Sequence, residues 1–163
     1  MIYRKVIFAS STVYYGDFLG LDAADKECKL LAAAAELPND EAFIAWLSTP
    51  DQPMSQRIEH LPVKYVRSDG APIADGWDDL VDGTILSPIR KDELGEDATD
   101  MVTIAWTGTS SDGEAHESHC KAWTSGGLFS DGLTGWLTAT DYQWSERAVD
   151  QCGIEAHLYC IET

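Results

Sequence analysis

The chain has 163 residues, about one domain's worth, and its 44% hydrophobic and 24% charged residues are the composition of a folded globular protein rather than a disordered one. Its 28 acidic against 11 basic residues give a formal net charge of −17, which repels nucleic-acid phosphates and anionic membranes. No apolar run reaches the roughly 18 residues of a membrane span, so neither nucleic-acid binding nor membrane insertion is expected.

The opening residues, Met1-Ile2-Tyr3-Arg4-Lys5, show no signal peptide and lead straight into strand-like sequence. For a secreted protein this predicts a leader already removed, or a module excised from a longer chain. Tyr3 to Ala9 is rich in β-branched and aromatic residues and predicts a strand. Gly16 to Gly20 predicts a turn. A helix follows, with Asp22 as N-cap, Asp25 in the first turn, and Ala24, Cys28, Leu31 and Ala35 at helical spacing on one face. Pro38-Asn39 stops it. Phe43 to Leu47 reads as a buried strand. Met54 to Leu61 reads as a short helix after Pro53.

Beyond this point short strands and turns take over. Val63 to Val66, Thr84 to Ile89 and Met101 to Trp106 predict strands, the last with Val102, Ile104 and Trp106 on one face. Residues 91–100 read as a polar surface loop and 107–135 as long structured loops rich in Gly, Ser, Thr and Asp. Leu158 to Ile161 closes the chain as a strand. One early helix followed by short strands and long loops, with no βαβ rhythm, predicts an α+β fold. With no internal repeat or linker, residues 1–163 read as one domain.

The acid is concentrated in the middle, where residues 67–117 hold thirteen acids against three bases. The same stretch carries the turn signals Asp69-Gly70, Asp75-Gly76, Asp82-Gly83 and Asp112-Gly113. Such a surface is either a solvated face or a site for cations and polyhydroxylated ligands. Calcium takes several loop oxygens, and Asp112, Glu114, Asp131, Asp141 and Glu146 are the candidate set.

Cys28, Cys120, Cys152 and Cys160 form no C-x-x-C pair and no zinc-type cluster. Four cysteines allow three pairings, which spacing alone does not decide. Placement favours the nested one. Cys28 lies on the apolar face of the helix and Cys160 in the last strand, while Cys120 and Cys152 flank the long loops. Closing loops of that size would contribute about 5 and about 3.5 kcal/mol as upper estimates, and would place the protein in an oxidising compartment, the alternative being four buried reduced thiols in a cytosolic protein.

Taken in order, several segments carry a resemblance. They are Val6-Ile7-Phe8-Ala9-Ser10-Ser11, Gly-Leu-Asp-Ala-Ala-Asp-Lys-Glu-Cys at 20–28, Ala45-Trp46-Leu47-Ser48, and Gly76-Trp77-Asp78-Asp79-Leu80-Val81-Asp82-Gly83. Trp106-Thr107-Gly108-Thr109, Cys120-Lys121-Ala122-Trp123-Thr124-Ser125, Trp144-Ser145-Glu146, Cys152 and Leu158-Tyr159-Cys160-Ile161-Glu162 complete the set. Over nearly its whole length the chain resembles a bacterial family of secreted domains of unknown function, grouped with the C-type-lectin-like fold and related to endostatin. The resemblance implies the same nested disulfides, paired terminal strands at the base, and a long-loop region that binds ligands. It departs from the calcium-dependent sugar-binding members. Glu-Pro-Asn and Gln-Pro-Asp are absent, and Trp144-Ser145-Glu146 stands in place of Trp-Asn-Asp. Endostatin's basic face is not expected on so acidic a surface.

Of the six tryptophans, Trp46, Trp106 and Trp144 are expected in the core. Trp123 and Trp136 sit among Gly and Ser and are the expected exposed pair, contacting ligand together with Asp112, Asp131 and Asp141. His116-x-x-His119-Cys120 is a weak zinc signal if Cys120 is crosslinked. There is no Gly-x-Ser-x-Gly elbow and no phosphate-binding loop. The reading is a non-enzymatic, extracellular recognition module for a glycan or surface protein, with calcium as its candidate cofactor and a larger adhesin or fibre as its candidate parent. The alternatives are a hydrolase using two loop carboxylates and a structural or assembly domain without a ligand site.

Overall fold

A computed structural model describes residues 4–163. Eight strands form one mixed sheet. They are β1 (Arg4–Ala9), β2 (Phe43–Ala45), β3 (Lys64–Arg67), β4 (Pro72–Ala74), β5 (Ile104–Trp106), β6 (Asp131–Trp136), β7 (Ala148–Gln151) and β8 (His157–Glu162). The order is β4-β3-β1-β8-β5-β6-β7, with β2 also on β8. The helices are α1 (Leu21–Ala34) and the single turns α2 (Met54–Arg57) and α3 (Trp77–Leu80). The mixed α+β class agrees with the sequence. Tyr3, expected in the first strand, lies outside the described residues.

An α+β fold of short strands with no βαβ rhythm is expected to pair them antiparallel, and two joints depart from that expectation. β1 runs parallel to β3, and β5 parallel to β8. Each pair is joined by a long stretch of chain, which is what a parallel return requires. The terminal strands β1 and β8 are antiparallel, with Phe8 opposite Cys160.

Alternation along the central strands sorts their side chains between two cores. On one face lie Phe8, Phe43, Ala45, Trp106, Leu158 and Cys160, with Leu21, Ala24, Cys28 and Ala32 of α1 packed on them. On the other lie Ile7, Ala9, Ala105, Tyr159 and Ile161, roofed by Trp46, Met54, Trp77, Ile85, Ile89 and Trp144 from loops and short turns. We call these the helix face and the loop face.

On the helix face, α1 begins one residue before the expected cap. Gly20 holds the N-cap position with φ 104° and no side-chain bond, so Asp22 is a first-turn acid instead. The buried stripe is Leu21, Ala24, Cys28 and Ala32 rather than one through Leu31 and Ala35. The helix stops at Ala34, ahead of Pro38, where Glu36 turns to positive φ. Asp25 does more than sit in a helix turn. It accepts from the Ala45 N–H at 2.9 Å and pairs with both Nη2–carboxylate contacts of Arg57, which also donates to the Ala45 and Leu47 carbonyls. This pair ties α1 on one face to α2 on the other.

Both expected disulfides are present as Cys28–Cys160 and Cys120–Cys152, and no described cysteine is free. They fit an oxidising compartment. No helix among the described residues is long and apolar enough to cross a membrane.

Three strand expectations change. Thr84–Ile89 makes only one isolated bridge, Thr84 to Asp141, while Ile85 and Ile89 plug into the loop-face core from irregular chain. The strand expected from Met101 begins at Ile104, and Met101 is 92% exposed. The 107–135 region, read as loops, contains most of β6, and β7 was not anticipated. Gly135 shows why β6 hides in the sequence: a Cβ there would fall 1.8 Å from the Trp144 carbonyl oxygen, so a strand residue must be glycine.

Candidate functional site

The expected exposed tryptophan pair divides. Trp123 is fully buried, which corrects its assignment to ligand contact. Its Nε1 donates to the Ser48 carbonyl at 2.9 Å, and its ring meets Phe18 and Trp106 edge-on. It ends a turn, Cys120–Trp123, in which all four residues have positive φ, closed at its base by the Cys120–Cys152 bond. Gly and Ser neighbours mark this tight bend rather than an open surface. The indole fits against Gly108, where a Cβ would come within 2.5 Å of Trp123 Cζ2.

Trp46, Trp106 and Trp144 are core residues, as expected. Trp46 meets Trp77 at 5.9 Å and Trp144 at 5.1 Å between ring centroids, and its Nε1 donates to Ser145 Oγ. Trp77 is buried too, beneath the stacked ring of His60.

Trp136, at the end of β6, remains in water, 38% exposed. Across from it on β5 is Ile104. The Arg147 guanidinium lies 5.3 Å from the Trp136 ring centroid, within the range of a cation–π contact. Arg147 Nη2 donates to Asp150 Oδ2 at 2.7 Å, and Thr134 Oγ1 donates to the same oxygen at 2.8 Å. The Arg147 N–H donates to the Thr134 carbonyl at 2.7 Å, so the backbones of β6 and the β7 approach are fixed as well. Arg147 Nε is buried without a hydrogen-bond partner. The result is an indole, a guanidinium and a carboxylate on one patch, which offers an apolar flat surface beside a strong donor and a strong acceptor. The sequence singled out Trp136 but missed Arg147, Thr134 and Asp150. Ala148-Val149-Asp150-Gln151 shows no apolar and polar alternation, so no strand signal marks them in the sequence.

The five candidate calcium ligands go to separate duties. Asp112 Oδ1 accepts from the Glu114 N–H at 3.0 Å, closing the turn at Gly113. Glu114 is exposed on a groove beside Pro50, Pro53 and His116. Asp131 opens β6 opposite Gln151. Asp141 caps a short 3-10 turn, accepting from the Gln143 N–H at 3.0 Å. Glu146 Oε1 accepts from the Ser111 N–H at 2.9 Å. Among the described residues no three His, Cys, Asp or Glu side chains are arranged to hold a metal ion. His116 Nδ1 accepts from the Ser118 N–H and His119 Nδ1 from the Ala122 N–H, so both imidazoles serve local turns.

The same pattern runs through the acidic middle. Asp79 accepts from the Asp75 N–H, Asp82 from Thr84, Asp92 from Leu94 and Glu96, and Asp97 from Thr99. Asp92 and Glu93 are buried, contrary to a purely surface 91–100 loop, and Glu93 accepts from both the N–H and the hydroxyl of Ser11. The Thr99 hydroxyl and N–H, and then Arg90, hold the Asp97 carboxyl well below the usual carboxylate range. A hydrogen bond from the Arg67 side chain lowers the Asp69 carboxyl from its ordinary value. Burial pushes the Tyr65 phenol up to about 12.

No protein-family model matches the chain, and no curated protein matches it.

Proposed function

We propose that the chain is a non-enzymatic recognition module of C-type-lectin-like, endostatin-like fold, which binds a glycan or a cell-surface protein through the patch around Trp136. Three features support the scaffold reading. The first and last strands pair antiparallel. Nested disulfides tie the helix to the last strand and clamp the later loops. Long loops roof one face of the sheet. These are the features that the sequence resemblance implies.

The observation that carries the binding reading is that Trp136 alone of the six indoles is left in water, beside Arg147 and Asp150. An indole face packs against sugar C–H groups, while a guanidinium and a carboxylate exchange hydrogen bonds with hydroxyls. Trp123 and a calcium bridge take no part in this reading, because the indole is buried and, among the described residues, no three acids are arranged to hold a metal ion. The module is extracellular and belongs to a larger adhesin or fibre, in keeping with its crosslinks.

A second reading, a structural or assembly domain, has its own support in the many carboxylates committed to turn N–H groups. A glycan-array and cell-binding screen, with calcium and with chelator, separates the two. Recognition predicts saturable binding that survives chelation and weakens about tenfold or more in Trp136→Ala. Absence of binding to any glycan or cell surface, or binding indifferent to Trp136→Ala, contradicts it.

A further inference from the structure

Away from Trp136, the segment that follows β1 walls a recess of about 380 Å³. Its lining combines the aromatic residues Tyr14, Tyr15 and Phe18 with the acids Asp17, Glu27 and Glu155, and it contains no basic side chain. Tyr15 is an exposed ring, and Tyr14 and Phe18 lie 5.2 Å apart between centroids at a tilt of 48°. No hydrogen bond or ion pair among the described residues engages the Asp17 or Glu155 carboxylate.

The wall is held in place before any ligand arrives. The Tyr14 N–H donates to the Ala156 carbonyl at 2.8 Å, and the Ala156 N–H returns a bond to Tyr14 at 2.9 Å. Trp106 Nε1 also donates to the Tyr14 carbonyl, and the Gly16 N–H donates to the carbonyl of the crosslinked Cys152. A site fixed in this way loses little freedom on binding. Burial, and then the nearby Glu27 carboxylate, keep the Tyr14 phenol far above its ordinary value. The ring is therefore neutral wherever the protein is folded at ordinary pH, and it lines the recess half-buried.

Aromatic faces carry negative charge density and attract cations within about 6 Å of the ring. Carboxylates without a cation add to that attraction, and a net charge of −17 draws cations from solution. Apolar ring surface disfavours a small hydrated metal ion and suits a cation that carries its own hydrocarbon. We propose that this recess binds a small alkylammonium ligand, its charged head among the Tyr14, Tyr15 and Phe18 rings and the Asp17, Glu27 and Glu155 carboxylates. The site is separate from the Trp136 patch and does not depend on the recognition reading.

The test is an NMR titration of the full chain with choline chloride. Sodium chloride at equal ionic strength controls for screening. 3,3-Dimethyl-1-butanol, which has the shape of choline without its charge, controls for apolar contact. The expected result is saturable shifts confined to Tyr14, Tyr15, Phe18 and their neighbours, with the neutral isostere weaker by about tenfold or more. Tyr15→Leu and Glu155→Gln alter exposed side chains, and circular dichroism checks that both variants stay folded. Each should weaken choline several-fold. No saturable shift, equal binding of the isostere, the same shifts with sodium chloride, or folded variants that bind choline unchanged would overturn the proposal.

Discussion

On the helix face, Ala24, Cys28 and Ala32 of α1 lie against Phe8, Phe43 and Cys160, with both disulfides in the same core. On the loop face, Trp46, Trp77 and Trp144 pack beneath chain that has little regular structure. The contrast lies in how each covering satisfies its backbone. A helix pairs its own N–H groups and needs only an apolar stripe to dock. A loop has no internal ladder, and every N–H near the core must find an acceptor. Asp79, Asp82, Asp92, Asp97 and Asp112 supply those acceptors from within the acidic stretch. Much of that acidity is therefore turn chemistry, and charge density alone does not mark a cation site.

The largest effect should come from the crosslinks on the helix face. Replacing Cys28 and Cys160 together with alanine should lower unfolding free energy by up to about 5 kcal/mol, against up to about 3.5 kcal/mol for Cys120 and Cys152. Denaturant midpoints of the two double variants measure the ranking, and equal losses would break it. The loop face should depend on its indoles instead. Trp46→Ala should cost about 4 kcal/mol, because the side chain is fully enclosed and its Nε1 bond is lost. A loss under about 1 kcal/mol would mean the loops do not need this core.

Between the faces stands the Asp25–Arg57 pair, with side chains 17% and 5% exposed. Arg57→Met strands a carboxylate in a largely buried position and should cost about 3 kcal/mol. Thermal melts of Arg57→Met and of the Asp25→Asn, Arg57→Met double variant separate loss of the pair from loss of packing.

The smallest effect is acid sensitivity confined to the loop face. The folded Asp97 carboxyl sits below its unfolded value. Its contribution is therefore complete above the unfolded range of about 4 and is lost as pH falls through the folded value. Amide exchange at Thr99 should accelerate relative to α1 below about pH 4, and Asp97→Asn should remove that difference. Parallel acceleration in both places would contradict a local origin.

Legibility in the sequence follows the same division. α1 declares itself by helical spacing, and β1 and β8 by short continuous apolar runs rich in β-branched and aromatic residues, as strands buried on both faces are. Placing Cys28 on the helix stripe and Cys160 in the last strand was enough to favour the nested pairing, and the structure has it. The loop face carries no period. Ile85 and Ile89 read as strand because they are apolar, yet each reaches the core from irregular chain. β6 read as loop because Gly132 and Gly135 lie in it, where neighbouring atoms leave no room for a side chain. Trp123 departs from expectation for a related reason: its small neighbours make space for a buried ring rather than an open surface. Trp136 was singled out, but Arg147 and Asp150 depend on a strand that sequence did not reveal.

The proposed recognition of a glycan or surface protein rests on the indole at the end of β6, and not on the acids that hold the loop turns. Binding to the best glycan or cell surface, compared between Trp136→Ala and an Asp112→Asn, Asp141→Asn double variant, tests it most directly. Binding lost in the first and retained in the second is the predicted result. Retention in the first with loss in a still-folded second would contradict it.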